Sequence, residues 1–307
     1  MAKHFPGKIM LFGEHSIACA SHALVVPFFE KSAHWDFCPE SEQTAAIKAS
    51  AESLTAFVDY LKNTADLEAV FAVQEFETEL KKGLYFNSTI PQGYGAGSSG
   101  ALVAAVYERF YVGPKPDDNK QLKALLARIE SFFHGSSSGI DPLCCLLQET
   151  IKIDEKGSLL TLPDFSHRID DFPVKIFLID TQTTSSTAVM VAHFKEKLHQ
   201  YSFFKKLNEH YIPANNRAIE SIIKGDALGF LKETERISVL QQNELGRMIP
   251  DEFQPYFGPI SNEKPFTLKL CGSGGGGYLL GFTTEKAKTS RYLEAEGLKF
   301  EFPVFGR

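Results

Sequence analysis

The sequence predicts an α+β fold, and three observations carry that prediction. Short β-branched and aromatic segments open and close the chain, stretches of helical period fill its middle, and the two never settle into a regular βαβα alternation. The opening strands fall at 8–12, 23–28 and 33–37. From residue 52 to about 82 the apolar period lengthens, with Leu54, Phe57, Val58 and Leu61 and then Leu67, Val70, Phe71 and Val73 marking two helix faces parted near 63–65. A strand over 84–90 runs into the loop PQGYGAGSSG, after which a helix covers 101–110. Asp117 and Asp118 then precede a helix carrying Leu122, Leu125, Leu126 and Ile129. The segment HGSSSGIDP interrupts this pattern before a short apolar run, LCCLLQ, and hairpin-like pieces cover 151–173. A strand over 174–180, three helices between 187 and 248 and a loop rich in Pro and Phe follow. The chain closes with a strand at 266–270, the glycine run GSGGGG, a strand at 278–282, a helix from Glu285 and a strand near 298–302. A boundary near Asp171 divides it into two domains, 1–171 and 172–307.

Composition narrows the function. The 307 residues are 43% hydrophobic and 23% charged, enough apolar material for one large or two ordinary cores. A formal net charge of -6 gives no global positive field to draw the chain onto nucleic acid or an anionic membrane, so an anionic ligand has to be held locally. The longest apolar runs fall far short of the roughly 20 residues of a membrane helix, and MAKHFPGK lacks the core of a secretory signal, so a cytoplasmic location is expected. Five cysteines at irregular spacing form neither a disulfide framework nor a zinc site and are expected to be small buried hydrophobes.

Two glycine-rich loops stand out. Between Gly93 and Gly100 six residues are Gly or Ser, and the loop joins a strand to a helix. Bare amides at a helix N-terminus suit a phosphate, while a flexible turn with a serine cap is the plainer alternative. Gly95, Gly97 and Gly100 match G-x-G-x-x-G, as do Gly272, Gly274 and Gly277, but neither run is followed by the acidic strand end of a dinucleotide fold. No lysine follows the first loop as in G-x-x-x-x-G-K-[ST], so a lysine serving phosphates comes from elsewhere. The tract from Gly272 to Gly277 is longer than a hairpin turn requires, which leaves close approach to a backbone or ligand, or simply a long hairpin loop.

The stretch Gly135 to Gly139 formally matches the G-x-S-x-G elbow of serine hydrolases, yet a helix rather than a strand precedes it, and no partner Asp and His stand out. Read as a turn, it delivers Asp141 to the start of the LCCLLQ helix, near donors that keep a carboxylate ionised. In PGKIMLFGEH, Lys8 heads a strand and Glu14 and His15 lie just past its end.

Taken in order, PGKIMLFGEH, PQGYGAGSSGA and KLCGSGGGGY resemble the three motifs of the GHMP kinases, and the resemblance spans the chain. The pattern E-x-x-x-H-G-x-x-S-G-x-D from Glu130 to Asp141 is most similar to the members that phosphorylate mevalonate. The resemblance implies an N-terminal domain like ribosomal protein S5 domain 2, a ferredoxin-like C-terminal domain, and transfer of a phosphoryl group from ATP to a small alcohol, with (R)-mevalonate as the leading acceptor; phosphomevalonate, a sugar or homoserine as acceptor, or a catalytically silent homologue acting as a scaffold, are the alternatives. It implies that Gly93, Gly95, Ala96, Gly97, Ser98, Ser99 and Gly100 wrap the ATP phosphates and that Ser99 and Glu130 hold Mg2+. It further implies that Asp141 faces the substrate hydroxyl with Lys8 beside it, and that Glu14, His15, Gly274 and Gly275 line the substrate. The chemistry agrees: magnesium takes hard oxygens and few protein carboxylates, and phosphoryl transfer needs positioning and charge neutralisation. The implied partners are ATP and a small alcohol, with no nucleic acid and no membrane, and a homodimer is admitted.

This chain departs from the family pattern in places. The usual G-L-G-S-S-A has Ala96 for leucine and Gly100 interposed before Ala101, and Ser137 stands where H-G-x-P-S-G has proline. After GEH the chain carries Cys19, Ala20 and His22 in place of the usual tyrosine or histidine, glycine and proline.

Overall fold

The computed structural model describes residues 3–184 and 186–306. Strand β1 (Phe5–Phe12) is wholly buried, and β2 (Ala23–Phe37) is one 15-residue strand where two were expected. Thr44 then caps α1 (Ala45–Lys62) by accepting the Ile47 amide at 3.4 Å, so this helix starts earlier than its apolar face does. Short α2 (Ala65–Glu68) and α3 (Val73–Lys81) lead to β3 (Leu84–Ser88). The glycine loop ends on α4 (Ser98–Phe110), and Asp118 caps α5 (Asn119–His134) by accepting the Gln121 amide at 2.8 Å. Helix α6 (Ile140–Leu147), strands β4 (Thr150–Ile153) and β5 (Leu159–Leu162), and α7 (Phe165–Asp171) follow.

Strand β6 (Lys175–Asp180) precedes α8 (Thr187–Leu198) and α9 (Tyr201–Lys206), which runs through a π-turn at Leu207–Tyr211 into α10 (Ile212–Lys224). Pro213 has no N–H to give the preceding turn, a common reason for such a bulge. After α11 (Ala227–Glu244), β7 (Thr267–Leu270) and β8 (Tyr278–Thr283) flank the glycine tract, and α12 (Lys286–Ala295) and β9 (Lys299–Glu301) close the chain. Among the described residues the architecture is mixed, with one five-stranded sheet (order β1-β2-β4-β5, β3 also on β2) and one four-stranded sheet (order β7-β8-β6-β9).

The contacts divide the chain into two compact units. One comprises 3–8, Phe29–Pro91 and Gly97–Gln148; the other comprises Ile9–Phe28, Gln92–Ala96 and 149–306. In the first, the far half of β2 pairs antiparallel with β3, with Ala33 opposite Ser88 and Phe37 opposite Leu84. Its core gathers Trp35 against Phe76, Phe86 and Phe110, and α4 packs on α6. In the second, Ala23–Val25 of β2 pairs with β4, and β8 lies between β6 and β7, all antiparallel. Phe12, Phe172 and Phe282 surround Phe230 there at 5.1–5.7 Å between ring centres, mostly edge to face.

Cys144, Cys145 and Cys271 are buried, as expected of small core residues, but Cys19 and Cys38 are only half-buried. Cysteine type alone does not say which strand end or turn reaches solvent. Among the described residues no helix is long and apolar enough to cross a membrane.

Candidate active site

In the first unit, the residues singled out from sequence converge on the N-terminus of α4. Gly97 caps that helix in the left-handed region (φ +83), and a Cβ there would lie 2.7 Å from Lys8 Cγ. Only glycine lets the lysine stem pass this close. The stem ends in an ion pair: Lys8 Nζ lies 2.8 Å from Asp141 Oδ2, the lysine side chain 5% exposed and the aspartate 29%. A buried cation therefore holds a carboxylate that still reaches solvent.

Gly100, the residue interposed in the second motif, has a steric reason. A Cβ on it would stand 2.9 Å from the Asp141 carbonyl carbon and 3.1 Å from Asp141 Cβ. Its bare backbone lets the first turn of α6, which carries Asp141, approach the first turn of α4.

Beside this pair lies Glu130 on α5, 3% exposed. Ser99 Oγ donates to its Oε1 at 3.0 Å, and Ser137 Oγ donates to its Oε2. Desolvation pushes the Glu130 carboxyl up to about 7, the charge of Asp141 adds to the rise, and the two serine hydroxyls and Lys8 oppose it. An oxygen-rich, desolvated carboxylate of this kind gains by meeting a hard cation, so Ser99 and Glu130 are two hard-oxygen groups that could hold a magnesium ion. The elbow reading gains no strand: Ser137 follows α5, a helix.

The second unit holds the remaining candidates. Glu14 forms an ion pair with Lys269 of β7, the two side chains 2% and 1% exposed. Lys269 Nζ also donates to the Leu270 carbonyl at 2.7 Å and lies 5.5 Å from the Phe12 ring centre. The second Glu14 oxygen is buried with no hydrogen-bond partner among the described residues. His15 donates from Nε2 to the Ser273 carbonyl at 3.1 Å and stacks on Phe194 at 4.9 Å. Burial lowers its pKa to about 4, so the ring is neutral near pH 7.

The glycine tract approaches other backbone closely. A Cβ on Gly272 would lie 2.9 Å from Gly95 Cα, and one on Gly277 would lie 2.6 Å from Tyr94 Cα. Gly93, Gly95 and Ala96 are thereby grouped with the tract. Gly274 abuts the Met248 carbonyl, and the Gly275 amide donates to that same oxygen at 2.6 Å. Ser98 opens α4 between Gly97 and Ser99.

Two residues in these clusters escaped the sequence reading of the site. Lys269 is a lysine inside a fully buried strand, TLKL, and that setting was its signal. Ser137 was visible as the serine of the elbow match and as a departure from proline, not as a partner of Glu130.

A buried lysine is thus paired with an aspartate at the N-terminus of α4, next to a desolvated serine–glutamate cluster. Residues 57–149 match the family model described as GHMP kinases N terminal domain. The chain is also similar to curated mevalonate kinases. It is 28% identical over 304 residues to the mevalonate kinase of Archaeoglobus fulgidus, covering 96% of this chain and 98% of that protein. The structure of L. major mevalonate kinase in complex with R-mevalonate superposes with a TM-score of 0.63 at 16% identity, covering 99% of this chain and 96% of that one. Lactococcus lactis galactokinase complexed with galactose gives 0.62 at 14% identity, covering 99% and 94%. The last two likenesses are of fold, which this chain shares with kinases of different acceptors.

Proposed function

We propose that the protein transfers the γ-phosphoryl group of ATP to the C5 hydroxyl of (R)-mevalonate, giving 5-phosphomevalonate and ADP. The observation that carries this reading is the 2.8 Å Lys8–Asp141 pair set against Gly97 and Gly100 at the start of α4. In this reading Gly93, Gly95, Ala96, Gly97, Ser98, Ser99 and Gly100 bind the phosphates, with the unpaired amides of α4 supplying donors. Ser99 and Glu130 hold Mg2+, which when bound offsets phosphate charge.

Asp141 accepts the proton of the acceptor hydroxyl as its oxygen forms a bond to the γ-phosphorus and the bond to the β-bridging oxygen breaks. Lys8 offsets the negative charge that the carboxylate and the phosphoryl group bring together. Glu14, His15, Gly274 and Gly275 serve the substrate side. The buried unpartnered oxygen of Glu14 supports a hydroxyl donor from the ligand, and neutral His15 supports a hydrogen-bonding role that carries no charge. In the two-domain division at 171, the phosphate loop, the base, Glu14 and His15 fall in 1–171 and the third motif falls in 172–307.

An ATP-consumption screen over mevalonate, phosphomevalonate, galactose and homoserine tests the acceptor, and mevalonate is expected to give the highest kcat/KM. Asp141→Asn is expected to lower single-turnover rate on the order of 100- to 10,000-fold with ATP still bound. Lys8→Met should impair it too, and the double variant should lose less than the two losses combined. Near-normal single-turnover chemistry in Asp141→Asn would remove the base assignment.

A further inference from the structure

The Ser137 hydroxyl is committed in two directions. Its proton goes to Oε2 of Glu130, and its oxygen accepts the Gly139 amide at 2.9 Å. The loop ahead of α6 therefore fixes the hydroxyl, and the hydroxyl fixes the carboxylate. Glu130 meets Ser99 through its other oxygen, Oε1. The two serines differ in setting: Ser99 is in the first turn of α4, beside the phosphate loop, whereas Ser137 is anchored to the backbone of the α5–α6 connection.

A carboxylate whose rotation is stopped by a backbone-anchored donor on Oε2, with Oε1 beside Ser99, offers a cation a set rather than an adaptable arrangement of oxygens. Magnesium is suited to that offer, being small, octahedral and bound through single oxygens at near-ideal angles. Calcium takes more ligands in looser geometry and readily uses both oxygens of one carboxylate. Proline, the residue of the family pattern at this position, has no side-chain donor and imposes no such restriction.

We propose that Ser137 is a positioning residue that fixes the orientation of the Glu130 carboxylate and thereby sets the preference of the site for magnesium over calcium. The proposal rests on the reading of Ser99 and Glu130 as the metal-binding pair.

The test is calorimetric binding of ADP by the full chain at increasing Mg2+ or Ca2+, with no turnover required. Ser137→Ala is expected to raise the Mg2+ concentration for half-maximal ADP binding by about ten- to a hundredfold, the loss of one hydrogen bond to a charged group, while the Ca2+ requirement changes less. Ser137→Thr, which keeps the hydroxyl, should retain the wild-type Mg2+/Ca2+ ratio. Ser137→Pro removes the donor by a different backbone route and should behave as Ser137→Ala, so the reading does not hang on one variant folding. An unchanged ratio in both, with Glu130→Gln still shifting the metal response, would overturn the role of Ser137. A Glu130→Gln variant with unaltered metal dependence would instead overturn the metal-binding pair itself.

Discussion

His15 shows how one buried side chain gives the molecule a pH limit. Its ring lies against Phe194 with Nε2 on the Ser273 carbonyl, and burial lowers its pKa from 6.5 to about 4. The folded state therefore prefers the neutral ring, while the unfolded chain binds a proton below pH 6.5. The stability this gives is fully present above pH 6.5 and is lost progressively as pH falls toward 4. At roughly 1.4 kcal/mol per pKa unit the loss reaches about 3 kcal/mol. Glu130 works the other way in an overlapping window: its raised pKa makes the metal-free fold less stable as pH rises from 4.5 toward 7. The difference between wild type and His15→Asn isolates the first effect, because a single substitution leaves the Glu130 contribution in both proteins. Denaturant unfolding should give a gap that narrows from pH 7 to pH 4, and a gap constant across that range would mean the ring is not held neutral.

At the scale of elements, the start of α4 concentrates the demands on the chain. Gly97 has φ +83 with the Lys8 stem against it. Gly97→Val would force a β-branched residue into the left-handed region, costing about 1–2 kcal/mol, and would displace Lys8. ATP affinity should fall by an order of magnitude or more, read by calorimetry on protein shown by circular dichroism to be folded; unchanged affinity would take the loop out of the site. The glycines themselves were legible in the sequence, as were the helices whose apolar faces repeat, because periodicity and backbone freedom are local properties. Helix α1 was read late because its first two turns, from Ala45, are largely exposed and its buried face begins only at Leu54. Strand β2 was read as two because Glu30, Lys31 and Ser32 lie where it is more exposed, although its backbone continues unbroken. Asp141 and Lys8 could be picked out through motif order, but the contact of Glu14 with Lys269, 255 residues apart, follows from tertiary packing. No local pattern encodes it. The same is true of Ser137 and Glu130, whose pairing depends on how the α5–α6 loop turns back.

For the whole molecule, the path of the chain bears on how it unfolds. A chain of 307 residues with two compact units ordinarily unfolds in more than one step. Here the chain passes between the units at 8/9, 28/29, 91/92, 96/97 and 148/149, and two of those passages fall inside β1 and β2. The hydrogen-bond ladder of β2 is thus split, with its pairs to β4 in one unit and its pairs to β3 in the other. Loss of either unit removes the support of a strand that the other uses, and so couples the two transitions. The single tryptophan, Trp35, reports on the first unit alone: it is packed by Phe76, Phe86 and Phe110 and donates from Nε1 to the Ala105 carbonyl at 3.2 Å. Far-UV circular dichroism reports on both units. The expected outcome is one denaturant midpoint shared by Trp35 fluorescence and circular dichroism in the ligand-free protein. A fluorescence transition complete before the dichroism changes would show that β1 and β2 do not transmit unfolding, and that each unit is stable by its own core.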